Sequence, residues 1–177
     1  MIVRDARQND ASLIAELHAA SWRSAYRGML SDRYLNGDLV RERTRIWIDR
    51  LQNPQPKQRV LLAEISGRVA GFVCAYGSND PQLGTLLDNL HVSQEFQRQG
   101  IGARLMREIA FWCDRELAGE GLFLWVLEPN MAARSFYEHR GGVIVARDTW
   151  FPPDGGAIPS LCYAWKDLAP LLSEAAK

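Results

Sequence analysis

The stretch Gln97-Arg98-Gln99-Gly100-Ile101-Gly102-Ala103 has residue types and spacing suited to holding a phosphate. Just before it lies the apolar run Leu86-Leu87-Asp88-Asn89-Leu90-His91-Val92, short and bounded by polar residues as a buried strand is. Just after it, Ile101, Leu105, Ile109 and Trp112 recur at helical spacing, with Met106 and Cys113 widening the stripe. A glycine pair therefore sits where a strand hands over to a helix. The first N–H groups of that helix have no internal partner and carry the positive end of its dipole. Glycines there clear away the side chains that would hold a phosphate off those donors. The pattern Gln-x-x-Gly-x-Gly lacks the third glycine of a dinucleotide loop and the Gly-Lys-Ser/Thr of a P-loop. It suits a one-turn pyrophosphate cradle. Taken alone, it also suits glycines that serve only a tight turn.

Two residues downstream add to it. Asn130 opens the next helical pattern, and Tyr137 follows on that helix beside Phe136. Asn130 is equally placed to cap the helix, and Tyr137 could equally belong to an apolar core face.

These residues need elements to hold them. Ile2–Ala6 reads as a first strand, and Asn9 or Asp10 caps a helix whose apolar face takes in Leu13, Ile14, Leu17 and Trp22, ending at Gly28. Ser31 and Asp32 open a short helix to Leu35. Asp38 opens a longer one with Leu39, Ile46, Trp47 and Leu51 along one side, broken by Asn53-Pro54-Gln55-Pro56. Val60–Ile65 and Val69–Tyr76 flank Ser66-Gly67 as a β-hairpin. A loop, 77–83, leads to the strand before the cradle. After helix 101–117 come Gly121, a strand at Leu122–Leu127, and a helix from Asn130 to about His139 that Gly141-Gly142 stops. Two last strands, Val143–Trp150 and Ile158–Trp165, flank a Pro-Pro-Asp-Gly-Gly loop, and 167–177 is a short or frayed helix. The pattern predicts one mixed α/β domain over residues 1–177, a mostly antiparallel sheet of about seven strands flanked by helices.

Bulk composition narrows the partners. The 177 residues carry 21 basic and 21 acidic side chains, a net charge of zero. That balance argues against a broad footprint for nucleic acid or an anionic membrane. Cys74, Cys113 and Cys162 are scattered in apolar runs without metal-ligand spacing, which argues against a disulfide framework and against zinc. The start, Met-Ile-Val-Arg-Asp, lacks the layout of a signal peptide and no apolar run approaches membrane-spanning length. The expected location is cytoplasmic.

The order of motifs resembles the GNAT superfamily of acyl-coenzyme-A-dependent N-acetyltransferases. Asn89-Leu90-His91-Val92 followed by Gln97-Arg98-Gln99-Gly100-Ile101-Gly102 looks like its cofactor strand and pyrophosphate loop. Glu128-Pro129-Asn130 through Gly141-Gly142 looks like its second signature. The resemblance runs from Ile2 to about Asp167. It implies acetyl-CoA as co-substrate, without a metal, and an amine acceptor on a small molecule or peptide. The backbone of Leu90, His91 and Val92 would pair with the pantetheine arm like an added strand. The N–H groups from Arg98 to Ala103, with Gln97 at their head, would hold the diphosphate. Asn130 and Ala133 would touch the cofactor, Tyr137 would face the departing sulfur, and Val92 N–H would meet the oxyanion. The last strands form a dimer seam in many relatives, so a homodimer is compatible with it.

Acyl transfer from a thioester needs a neutral amine, oxyanion stabilisation and an exit for the thiolate. A thiol ionises near pH 8.5 and a tyrosine near 10, so full proton transfer from Tyr137 would run uphill by roughly 2 kcal/mol. A hydrogen bond that strengthens as sulfur gains charge describes its role better. Some relatives that acetylate protein N-termini carry a glutamate where Trp125 stands, and an indole cannot take a proton. The remaining bases are His91 and Asn89 on one strand face, Asp88 on the other, Glu128, or a water relay. A lysine-type amine is neutral at only about one part in a few thousand at pH 7, an α-amine at about one in seven. The missing glutamate therefore points to a low-pKa acceptor such as an α-amine. Trp22 and Tyr26, at i, i+4 spacing, are candidates for an acceptor pocket or for core, and Arg23 and Arg27 for an acceptor carboxylate. The alternatives are a ribosomal-protein N-terminus, an antibiotic amine, which the basic Arg41, Arg43 and Arg45 disfavour, and a sensor that binds acyl-CoA without transfer, which Tyr137 disfavours.

Overall fold

The computed structural model describes residues 1–173. The chain opens with β1 (Ile2–Asp5), then α1 (Ala11–Ala25), α2 (Asp32–Leu35) and α3 (Leu39–Gln52). A meander follows, β2 (Gln58–Ile65), β3 (Arg68–Asp80) and β4 (Gly84–Val92). Then come α4 (Ile101–Glu116), β5 (Leu122–Leu127), α5 (Met131–Glu138), β6 (Val143–Trp150), β7 (Ile158–Trp165) and α6 (Ala169–Leu172). The strands make one seven-stranded sheet in the order β1-β2-β3-β4-β5-β7-β6. Only the β4–β5 neighbours are parallel.

Local chemistry accounts for several joints. Ser66 and Gly67 both take positive φ (51° and 75°), the primed turn whose twist matches a tight hairpin, and Ile65 pairs with Arg68 across it. At the end of α5, Gly141 sits at φ 79°, with its N–H on Glu138 C=O and Gly142 N–H on Tyr137 C=O. That pair of bonds satisfies the last carbonyls, and a left-handed residue is needed to make it.

Both faces of the sheet are covered. On one, Leu105, Ile109 and Trp112 of α4 pack on Val73, Leu87 and Leu124. On the other, Ile14 and Leu17 of α1 and Trp47 of α3 pack on Val60, Leu62 and Phe72. The three cysteines are free, buried and divided among three separate clusters.

Within the fold, the structure departs from the sequence reading at Leu13, at the end of α1 and in the 77–83 loop. Leu13 is 48% exposed, because α1 turns Ile14, His18 and Trp22 inward and leaves Leu13 at the rim of a cleft. α1 ends at Ala25, not at Gly28; Met29 and Leu30 N–H both return to Tyr26 C=O, and Gly28 (φ 81°) serves the turn beyond the helix. The 77–83 loop is mostly strand, since β3 continues to Asp80, whose Oδ1 accepts the N–H groups of Gln82 and Leu83 and folds the chain straight into Gly84. The short helix expected in the tail is α6, which runs to Leu172; residues 174–177 lie outside the described residues.

Candidate active site

The β4 and β5 strands pair only at Thr85↔Leu122 and Leu86↔Phe123. Beyond that point a cleft of about 1220 Å³ lies between them, lined by 87–93 and 124–127. A bulge in β4 prepares the opening. Cys74 pairs with Asn89 but Ala75 with Leu87, leaving Asp88 as an extra residue. Past the bulge, Leu90 and Val92 join the α4 core, whereas His91 turns to His18 and Phe72, with ring centroids 4.7 and 5.2 Å away. Ser93 N–H bonds back to Ala70 C=O at 2.9 Å. Because backbone groups alternate sides along an antiparallel strand, those of Leu90 and Val92 face the cleft.

The bulge also overturns one sequence expectation. Asp88 does not lie opposite Asn89. Arg50 Nη1 donates to Asp88 Oδ2 at 2.7 Å and to Asn89 Oδ1 at 3.0 Å, so two successive side chains reach the same cation.

The cradle residues stand past the end of β4. Arg98 (φ 61°) and Gly100 (φ 79°) are both left-handed, a conformation that gathers successive N–H groups into a concavity. Gly100 caps α4 without any side-chain bond, and Arg104 N–H to Gly100 C=O is the bond that starts the helix. The amides of Ile101, Gly102 and Ala103 consequently lack helical partners. A Cβ on Gly100 would meet nothing within 4 Å, so its φ is what demands glycine there; one on Gly102 would stand 3.2 Å from Phe136 Cζ. The Ile101 side chain is core at 1% exposure, leaving only its backbone to serve the loop. Gln97 Nε2 donates to Val92 C=O at 3.3 Å, and Gln99 Nε2 to Glu95 C=O at 3.4 Å. A helix start of this kind fits a diphosphate.

At the other wall, Asn130 Oδ1 accepts Ala133 N–H at 3.2 Å, so its oxygen is the α5 cap as well as part of the lining. Ala133 and Tyr137 continue along the same face into the cleft. The Tyr137 ring packs on Phe136, Tyr163 and Trp165 at 5.3, 6.1 and 6.1 Å. Burial, with Tyr26 nearby, pushes its phenol above the ordinary tyrosine value. At neutral pH it is a hydrogen-bond donor.

None of the ionisable bases named from the sequence stands free and basic. Burial first, and the Arg43 cation second, push His91 down to about 4. Asp88 is bound to Arg50, and Glu128 Oε1 accepts from Arg147 at 3.0 Å. Trp125, 43% exposed, lies in the lining itself.

Residues 11–142 match the model of the acetyltransferase (GNAT) family. The chain belongs to that family. It is 29% identical over 174 residues to a probable N-acetyltransferase, Rv2775, of Mycobacterium tuberculosis, covering 95% of each chain. Its fold is similar to that of PaiA N-acetyltransferase from Thermoplasma acidophilum, solved with coenzyme A (TM-score 0.72, 18% identity, 90% of this chain and 96% of that one). It is similar also to YncA, a putative acetyltransferase from Salmonella typhimurium solved with acetyl-CoA (TM-score 0.65, 17% identity, 100% and 96%).

In this GNAT chain, one end of the cleft is aromatic. Trp22 meets Tyr26 at 5.3 Å and Trp150 at 6.1 Å between centroids, and all three contribute to the lining. Trp22 and Tyr26 thus serve cleft and core at once, since Trp22 is only 9% exposed. Arg23 and Arg27 are elsewhere. Arg23 Nε donates to Leu35 C=O at 2.9 Å and Arg27 pairs with Asp32 at 2.9 Å, both bracing the turn into α2. Sequence reasoning missed Trp150, Asp148 and Arg50. Their only signal was the alternation of a terminal strand and the polar face of a helix, which every surface strand and helix shares.

Proposed function

We propose that this chain transfers an acetyl group from acetyl-CoA to a primary amine of a small molecule or peptide by direct attack on the thioester. The observation that carries the reading is the β4–β5 gap, lined by Tyr137 and by Gln97, the residue that leads into the α4 start where the first amides lack helical partners. Acetyl-CoA supplies an activated acyl group. The backbone of Leu90, His91 and Val92 offers an added-strand edge for an extended amide-bearing arm. The amides from Arg98 to Ala103, braced by Gln97 and Gln99, receive a diphosphate. Val92 N–H stabilises the oxyanion, and Asn130 and Ala133 border the acyl end. Tyr137 donates to the sulfur as negative charge develops there. Its raised pKa keeps the proton on the phenol, which favours a strengthening hydrogen bond over complete transfer.

The acceptor has to arrive neutral. His91 is too weakly basic, and Asp88 and Glu128 are committed to arginines. An α-amine or another low-pKa amine meets that condition at neutral pH, and a lysine-type amine does so some hundreds of times less often, by the ratio of about one in seven to one in a few thousand. Among the described residues no helix is long and apolar enough to cross a membrane, and the reading carries a cytoplasmic location with it.

The experiment is an acceptor panel followed by thiol release, with Tyr137→Phe as control. Release with an amine, reduced in the variant, supports transfer. Coenzyme A binding with no release on any acceptor would overturn transfer and favour the sensor.

A further inference from the structure

The charges lining the cleft cancel in pairs, save two. Glu64 holds Arg4 and Asp88 holds Arg50, each at 2.7 Å, and Arg68 pairs with Glu95. Glu16 and Asp148 also line it, and among the described residues neither has an ion-pair partner. The side chain of Asp148 accepts only its neighbour's amide, Thr149 N–H, at 2.7 Å. The cleft is left with unpaired negative charge and no unpaired cation.

One of these carboxylates stands beside the aromatic end. Asp148 and Trp150 occupy alternate positions of β6 and so share a face, opposite Ser160 and Ile158 of β7. Trp150 packs edge-on against Trp22, and Trp125 presents an exposed indole to the same space. Indole faces attract organic cations through the ring quadrupole, and a carboxylate beside them adds directional charge.

We infer that Asp148, with Trp125 and Trp150, anchors a second positive charge on the acceptor, an organic ammonium or guanidinium distinct from the reacting amine; the Trp22 ring is already taken by the Arg43 guanidinium, 4.4 Å from its centroid. The inference rests on the acetyltransferase reading of the cleft and deepens it to a substrate class. Asp148, Ser160 and Leu127 stand abreast on successive strands β6, β7 and β5. The anchor therefore lies two strand spacings, about 10 Å, from the strand that borders the gap. The acceptor it fits is an elongated dication. A free amino acid fits poorly, because its carboxylate would face Glu16 and Asp148 and find no unpaired cation in the lining.

The test uses three linear acceptors of equal length, each reacting through the α-amine of an amino-acid amide and about 10 Å between termini to match two strand spacings. One ends in a second amine (the diamine), one in a hydroxyl (the amino alcohol) and one in a carboxylate (the amino carboxylate). Turnover is read by thiol release, and binding by calorimetry with coenzyme A present. The diamine should exceed the amino carboxylate in kcat/KM by about tenfold or more, a difference of the size one charge-assisted contact supplies. Asp148→Asn should cut the diamine-to-amino-alcohol ratio by about tenfold, through KM rather than kcat. Asp148→Lys should shift preference toward the amino carboxylate. Equal use of all three acceptors, or a ratio unmoved by Asp148→Asn, would overturn the anchor while leaving acetyl transfer standing. Diamine binding that depends on Asp148, without thiol release from any acceptor, would support the anchor and sink transfer. Absence of both would sink both.

Discussion

Arg50 Nη1 lies 2.7 Å from Asp88 Oδ2, an ion pair that ties α3 to the bulged residue of β4. The same nitrogen reaches Asn89, and the guanidinium sits 5.1 Å from the Trp47 ring centroid. The bulge that separates β4 from β5 is therefore clamped from the opposite layer. Removing Arg50 leaves a half-buried carboxylate without its partner. Arg50→Met should cost about 1–2 kcal/mol of stability by urea denaturation. Combining it with Asp88→Asn should recover part of that loss, because the two side chains act as one unit. Strict additivity of the two changes would show that the pair contributes nothing.

The catalytic role proposed for Tyr137 rests on its hydroxyl. Tyr137→Phe keeps the ring against Tyr163 and Trp165 and removes only the donor. Turnover should fall by about tenfold to a hundredfold, the scale of one lost stabilising donor, with the affinity for coenzyme A changed by less than about twofold. An equal loss in both would recast the residue as a binding group.

The buried imidazoles set an acid limit on stability. Trp47 Nε1–H donates to His18 Nδ1 at 3.0 Å, so the His18 proton is on Nε2 and a charged ring would have to turn a second N–H against that donor. Burial, then His91, Arg43 and Arg50, hold His18 well below the ordinary value, and His91 is pushed to about 4. The unfolded chain protonates both near pH 6.5 while the native chain does not, so it binds the extra protons and gains on acidification. Stability should be level above that pH as far as these groups are concerned. It should fall from about pH 6.5 toward 4, by up to about 1.4 kcal/mol per pH unit for each imidazole. Denaturant midpoints measured between those limits should show a shallower slope for His18→Gln; an unchanged slope would remove His18 from the account.

The two cradle glycines should fail differently. Gly100→Ala places a side chain at φ 79° in open space, which should cost about 1 kcal/mol of stability. Gly102→Val crowds Phe136 from 3.2 Å, next to the amides proposed for the diphosphate, and should weaken coenzyme A binding by about tenfold or more. Thermal melts and titration with coenzyme A separate the two effects. Unchanged affinity in Gly102→Val would argue against the cradle.

The legible parts of this protein are those whose cause is local. Left-handed backbone at Ser66-Gly67, Gly100 and Gly141 is written in residue type, and hairpin, helix start and helix stop all fall where those residues are. The family motifs from Asn89 to Gly142 are local too, and the family match spans them. Other features needed the whole fold. Insertion of β7 between β5 and β6 is a long-range choice that neither strand announces. Strict alternation mislaid Asp88, because a one-residue bulge answers to pairing with Cys74 and Ala75 rather than to its own neighbours.

By itself, the sequence determined the order of elements, the left-handed glycine that starts α4, and the positions of Asn130 and Tyr137, since turn geometry, capping and hydrophobic period all act within a few residues. Only the tertiary structure decided that Trp125 is an exposed wall, that Arg50 and Arg147 occupy the nearby carboxylates, and that Asp148 stands unpaired beside Trp150. Those outcomes depend on which side chains distant strands and helices bring together. Charge and burial belong to that assembled neighbourhood, not to any single stretch of chain.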